Sequence, residues 1–292
     1  MNRRLLAAGL TALVLTFAWN TPFILPIKLL VVYVHEFSHA LVALLLGANL
    51  EQINVNAAEW GETVVRNLHS PLGFTLVVVA GYLGSALIGN LLLNRGLQAN
   101  WDRPTTFFLA MLLLYSGYLF TTPGSLTFFT AIGWGFFFLS ASVLPREILH
   151  YIMVITGVFF IWYCFHDMYD FSEQMEATDA GILANWLLNE SELVSRYASF
   201  SFITGSFATL MTGAISMITL AGLVQVVKSN HSHVAEPDAA NTASSQEATN
   251  EPSKVVVNPL AEGNLVPDNV PFGQREYSLA LDSSGDLIRK TA

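Results

Sequence analysis

The hydrophobic positions of this chain gather into long runs, at residues 5–17, 24–46, 72–93, 105–120, 126–144, 148–165 and 200–227. Runs of this length are sufficient, or nearly so, to carry a helix across about 30 Å of hydrocarbon. Turn and breaker clusters divide them: Asn20-Thr21-Pro22, Asn94-Arg95-Gly96, Thr122-Pro123-Gly124 and Pro145-Arg146-Glu147. The pattern predicts an all-α polytopic membrane protein, a bundle of six or seven transmembrane helices. The count turns on the short first and fourth runs. The first also has the shape of a secretory signal, with Arg3 and Arg4 ahead of an apolar stretch ending near Ala18, although a second apolar run follows almost at once.

Smaller features complete the outline. Residues 50–55 and 63–65 flank a turn-like stretch at 56–61, which predicts a membrane-associated β-hairpin between the second and third runs. In the third run Gly81, Ser85 and Gly89 recur every four residues, a small-residue seam suited to close packing on the second run. Asn90, one residue beyond, is a candidate oxyanion donor or an interhelical hydrogen-bonding group. From Ser229 the text turns to Ser, Asn, Ala, Glu, Pro and Gly. The expected division is therefore a transmembrane domain at 1–228 and a disordered acidic tail at 229–292.

Composition agrees with a membrane chain. Of 292 residues, 53% are hydrophobic and 12% charged, where a soluble domain carries about 25% charged. The formal charge of −9 excludes a basic nucleic-acid binder, and a single cysteine, Cys164, excludes a disulfide scaffold. Arg3 and Arg4 favour a cytoplasmic N-terminus, but Arg95, Arg103 and Arg146 are spread over several loops, so the sequence assigns no orientation.

The chemistry lies in the second run, which contains His35-Glu36-Phe37-Ser38-His39. On an α-helix, positions i and i+4 project from one face a turn apart. Two imidazoles so placed can reach one tetrahedral Zn²⁺ at about 2.0–2.1 Å. Glu36, on the same helix, is placed to deprotonate water at the metal. A charged residue in mid-membrane costs about 2.5–3.5 kcal/mol, and three ionisable residues fall here within five positions. A bound metal offsets that cost; lipid does not. The third ligand must come from elsewhere. The sixth run closes with His166, Asp167 and Asp170, the last two i, i+3 neighbours on one face. His150 opens the same run at the opposite membrane surface and is a poor partner.

These residues resemble the site-2 protease group of intramembrane zinc metallopeptidases, most of all its smaller B-type branch. The resembling stretch covers residues 31–93, with a weaker echo at 167–184. Its letters are His35-Glu36-Phe37-Ser38-His39-Ala40-Leu41, a turn containing Gly47, a polar segment ending Trp60-Gly61-Glu62-Thr63, and the glycine-rich stretch from Ala80 to Gly89. The resemblance implies a Zn²⁺-dependent endopeptidase that cuts membrane-protein substrates in or near the lipid bilayer. It makes His35 and His39 zinc ligands and Glu36 the catalytic acid/base. Ser38 stands where relatives commonly carry glycine, and no Asp-Gly motif of the larger group occurs between residues 120 and 180. The nearest counterpart, Asp167-Met168-Tyr169-Asp170, resembles the D-x-x-D stretch of the B-type branch. The expected third ligand is therefore Asp167, with Asp170 as the alternative and Asp179 ranked behind them. Two other classes share the intramembrane His and Asp residues: a catalytically silent relative that binds membrane proteins, and an ion or proton transporter. Oligomeric state is not legible.

Overall fold

A computed structural model describes residues 2–68, 70–98, 101–170 and 178–234, with the side chains of residues 2, 169, 170 and 229–234 outside that description. The elements are α1 (Asn2–Ala18), α2 (Leu25–Leu45), β1 (Asn49–Val55), β2 (Gly61–Arg66), α3 (Pro71–Gln98), α4 (Asp102–Phe120), α5 (Leu126–Ser142), α6 (Arg146–Asp170), α7 (Asp179–Glu190), α8 (Glu192–Tyr197) and α9 (Phe200–Val234). Each of the seven apolar runs has become a helix. Among the described residues, four helices are long and apolar enough to cross a membrane: Leu25–Leu45, Pro71–Gln98, Arg146–Met168 and Phe200–Lys228. The others fall short: α1 and α5 have 17 residues each, and α4 begins with Asp102 and Arg103. α9 continues to Val234, past the expected domain boundary at 228, and residues 235–292 of the expected tail lie outside the described residues.

α2 is the central helix. From Lys28 to Val34 every residue is buried, so this stretch is apolar or internally paired on all sides. Tyr33 is fully buried, and its hydroxyl meets Ser116 of α4 at 2.8 Å, which satisfies the one polar atom its ring brings inside. α3 runs antiparallel to α2. The expected seam on α3 is divided between two partners and does not serve α2 alone. Gly81 and Gly84 lie against α2, whereas Gly89 lies against Phe160 and Gly157 of α6. The reason is the helical period: eight residues turn about 80° past two full turns, so a four-residue spacing drifts from one neighbour to the next.

The hairpin forms as expected, antiparallel, with Asn49 opposite Arg66 and Val55 opposite Gly61. Asn56 closes its turn: its Oδ1 accepts the N–H groups of Ala58 at 2.9 Å and Trp60 at 3.2 Å. Glu59 takes a left-handed φ of 64° there and sends its carboxylate 2.9 Å from Lys28 Nζ on α2. Thr127 at the start of α5 bonds both Val55 N and Val55 O, at 2.8 and 3.1 Å. The hairpin is thereby held against the α4–α5 connection and along α2.

The bundle has two distinct ends. At one, Arg4 Nη1 on α1 donates to Gly96 O at the end of α3, and Asp102 at the start of α4 meets His150 at the start of α6 at 2.8 Å. Val226 of α9 packs there with Leu93, Leu97 and Val154. The hairpin, α7 and α8 lie toward the other.

Candidate metal centre

His35 and His39 sit on the buried stretch of α2, and α3 approaches them closely. A Cβ on Gly81 would lie 2.5 Å from His39 Nε2 and 2.6 Å from His35 Cδ2, so only a residue without one allows this contact. Four residues earlier on α3, the carbonyl of Val77 lies 2.6 Å from His39 Nδ1. A carbonyl can only accept, so Nδ1 carries the proton and Nε2 of the neutral ring presents its lone pair.

Into this space α7 brings a carboxylate. Thr178 caps α7, its hydroxyl accepting from Gly181 N, and Asp179 follows at the first helical position. Asp179 Oδ2 lies 3.0 Å from His35 Nε2 and 3.2 Å from His39 Nε2. With Nδ1 of His39 already protonated, its Nε2 and the carboxylate are two acceptors face to face unless a cation lies between them. Among the described residues this is the one His/Cys/Asp/Glu group whose ligand atoms all lie within 4.8 Å of one another. Two nitrogens and one carboxylate oxygen, in a glycine-lined gap, fit a zinc-type ion.

Glu36 is set beside them by the hairpin. Thr63 donates to its carboxylate at 2.7 Å and also lies 2.9 Å from its backbone oxygen. Gly61 makes room: a Cβ there would lie 2.5 Å from Glu36 Cγ. A cavity of about 120 Å³ opens onto His35, Glu36 and Asp179, bordered by Trp60, Tyr82 and Asp167. Tyr82, next to Gly81, stands edge-on to the His35 ring with centroids 4.6 Å apart.

Two expectations are corrected. Asp167 lines the cavity but does not meet the imidazoles: its Oδ2 accepts from the Tyr82 hydroxyl at 2.7 Å, and Asp179 occupies the place expected for it. The side chain of Asp170, the alternative, lies outside the described residues. Asn90 does not line the cavity; its amide donates to Ala86 O at 2.9 Å and to Thr219 of α9 at 3.4 Å. Nine residues beyond Gly81 amount to two and a half turns, so Asn90 leaves the opposite side of α3 about 13 Å away. His166 stacks on Trp19 with ring centroids 4.5 Å apart.

Sequence reading placed Gly81 in a seam packing on the second run but gave no role to Gly61 or Thr63 toward the α2 side chains. One signal was present: Gly61 and Thr63 are two apart on a strand and so share a face, one without a side chain and one with a donor.

A helical histidine pair, a glutamate between them and a carboxylate delivered by a remote helix are a donor set of the kind a membrane metallopeptidase needs. Residues 6–222, about three quarters of the chain, match the Peptidase M50B-like family model, and the chain belongs to that family. With four membrane-length apolar helices, it is an integral membrane protein. Comparison with curated proteins and with solved structures gave no match.

Proposed function

We propose that the chain is a zinc endopeptidase that cuts membrane-protein substrates within or beside their membrane segments, in the manner of regulated intramembrane proteolysis. His35, His39 and Asp179 are its metal ligands and Glu36 its acid/base. The observation that supports this most is the convergence of the Asp179 carboxylate on both imidazoles, at 3.0 and 3.2 Å, with Glu36 on the same helix. When bound, zinc supplies a Lewis acid for the scissile carbonyl and brings the pKa of water down to about 7.

The chain's own residues do the rest. Val77 O fixes the His39 tautomer, and Gly81 lets α3 close over the pair. Thr63 holds the Glu36 carboxylate in place to take a proton from water and deliver it to the leaving amine as the C–N bond breaks. A helical substrate uses its own carbonyls in hydrogen bonds, so the scissile segment has to unwind before attack. The hairpin is suited to receive it as an added strand, since Trp60 and Gly61 border the cavity. About 120 Å³ holds roughly four waters and no peptide, so binding of substrate must widen the mouth.

The test is zinc content of detergent-purified protein. Asp179→Ala is expected to lose zinc and Asp167→Ala to keep it. Glu36→Gln is expected to keep zinc and lose cleavage of an unstructured test polypeptide. Stoichiometric zinc in Asp179→Ala would overturn the ligand set, and undiminished cleavage by Glu36→Gln would overturn the acid/base role.

A further inference from the structure

Cations that are scattered in the sequence meet at one end of the folded bundle. Arg4 on α1 donates to Gly96 O and Leu97 O at the end of α3, just past Arg95. Arg103 at the start of α4 donates to Leu144 O after α5. Arg146 at the start of α6 lies 3.7 Å from Asp102 on α4. Val226 of α9 packs with Leu93 and Leu97, which brings Lys228 to the same end. With Arg3 these make six cations. Among the described residues they face the carboxylates of Asp102 and Glu147, and Asp102 is itself buried on His150. The carbonyls that hold Arg4 and Arg103 fix the guanidinium groups but carry no formal charge, so the end stays strongly positive.

The chain leaves α9 at this same end. After Val234 come Glu236, Asp238, Glu247, Glu251, Glu262 and Asp268, six carboxylates, with Lys254 as the one Lys or Arg among residues 235–268. The thirteen positions from Val234 to Glu247 reach at most about 45 Å, several helix diameters of about 10 Å, so the acids can meet any of the six cations. They lie on the cationic side of the bundle whichever way it is inserted. α9 also has the most to gain from a further contact: 22% of its apolar window is buried, against 61–72% in the other three membrane-length helices.

We propose that the acidic segment at residues 235–268 docks on the cationic end of its own chain and ties the end of α9 to the starts of α1, α4 and α6. A single exposed ion pair holds little. The attraction here is the sum over two surfaces of opposite net charge, kept at high effective concentration because they share one chain. It is therefore sensitive to salt. The docking depends neither on the peptidase reading nor on the direction of insertion.

The experiment needs no activity. Trp101, 70% exposed beside Asp102, is a reporter already in place at the cationic end. Full-length protein carrying Cys164→Ala, so that no native thiol remains, receives Ser245→Cys and is labelled there with bimane, which tryptophan quenches on contact. In uncharged detergent the label is expected to be quenched at 0.1 M salt and to brighten about twofold at 1 M, as the screening length falls from about 10 Å to 3 Å. Trp101→Phe is expected to abolish the quenching at 0.1 M salt. So is neutralising the segment with Glu236→Gln, Asp238→Asn, Glu247→Gln, Glu251→Gln, Glu262→Gln and Asp268→Asn, which leaves the bundle unaltered. Emission that ignores salt, or quenching that survives either set of substitutions, overturns the proposal. Nanodiscs test the rival occupant: equal quenching in phosphatidylcholine and phosphatidylglycerol is expected, and its loss in phosphatidylglycerol alone would assign the cationic end to lipid headgroups and overturn the docking.

Discussion

Replacing Gly81 by alanine tests whether the metal centre depends on the close approach of α3. The added Cβ would stand 2.5 Å from His39 Nε2, where ordinary contact begins at 3.4 Å. Either that nitrogen retreats by about 0.9 Å or the two helices separate by a similar distance. Ligand positions at a zinc site tolerate only about ±0.2 Å, so neither adjustment leaves the three donors matched. Overpacking of this kind costs about 1–3 kcal/mol, and if the cost falls on the metal-bound geometry, affinity drops roughly 5- to 140-fold. The assay is a zinc dissociation constant measured in detergent by chelator competition. Gly89→Ala is the comparison: its Cβ would strike Phe160 Cβ at 2.7 Å on the α6 side. That variant is expected to unfold at lower temperature while binding zinc as the parent does. Gly81→Ala binding zinc within about twofold of the parent would refute the argument that this glycine is kept for the imidazoles.

Other outcomes follow from the same contacts. Thr63→Val keeps the side-chain shape but removes the hydrogen bond to the Glu36 carboxylate. A bond to a charged group contributes about 1.5–3 kcal/mol, so cleavage of a test polypeptide should slow roughly ten- to hundredfold with zinc content unchanged. Lys28→Met leaves Glu59 without its 2.9 Å partner and removes the cation 4.4 Å from the Trp19 ring. A loss of about 1–3 kcal/mol is expected, read as a fall of roughly 2–10 °C in the thermal midpoint by circular dichroism. Added zinc at a hundred times its dissociation constant should stabilise the parent by about 2.7 kcal/mol. Asp179→Ala should show no such rise, and an equal rise in both would argue that zinc binds elsewhere.

The parts of the site that were legible are local. His35, Glu36 and His39 share little more than one turn of α2, and helix geometry alone sets their relative directions. The hairpin is equally local, its turn closed by Asn56 within five residues of sequence. The third carboxylate was not of this kind. His35 and Asp179 are 144 positions apart, so no local spacing could pair them. In the fold Asp167 accepts from the Tyr82 hydroxyl, and Asp179, at the capped start of α7, meets the imidazoles.

By itself the sequence determined the helical membrane bundle, the histidine pair with its glutamate, and the strand pair that follows them. Each is written in neighbouring letters, because hydrophobic run length and backbone period act over a few residues. Only the tertiary structure decided which acid meets the two imidazoles, that Thr63 and Gly61 seat Glu36, and that Asn90 turns away toward α9. Those outcomes are set by how helix faces drift around their axes and by which elements pack side by side, information that exists only once the elements touch.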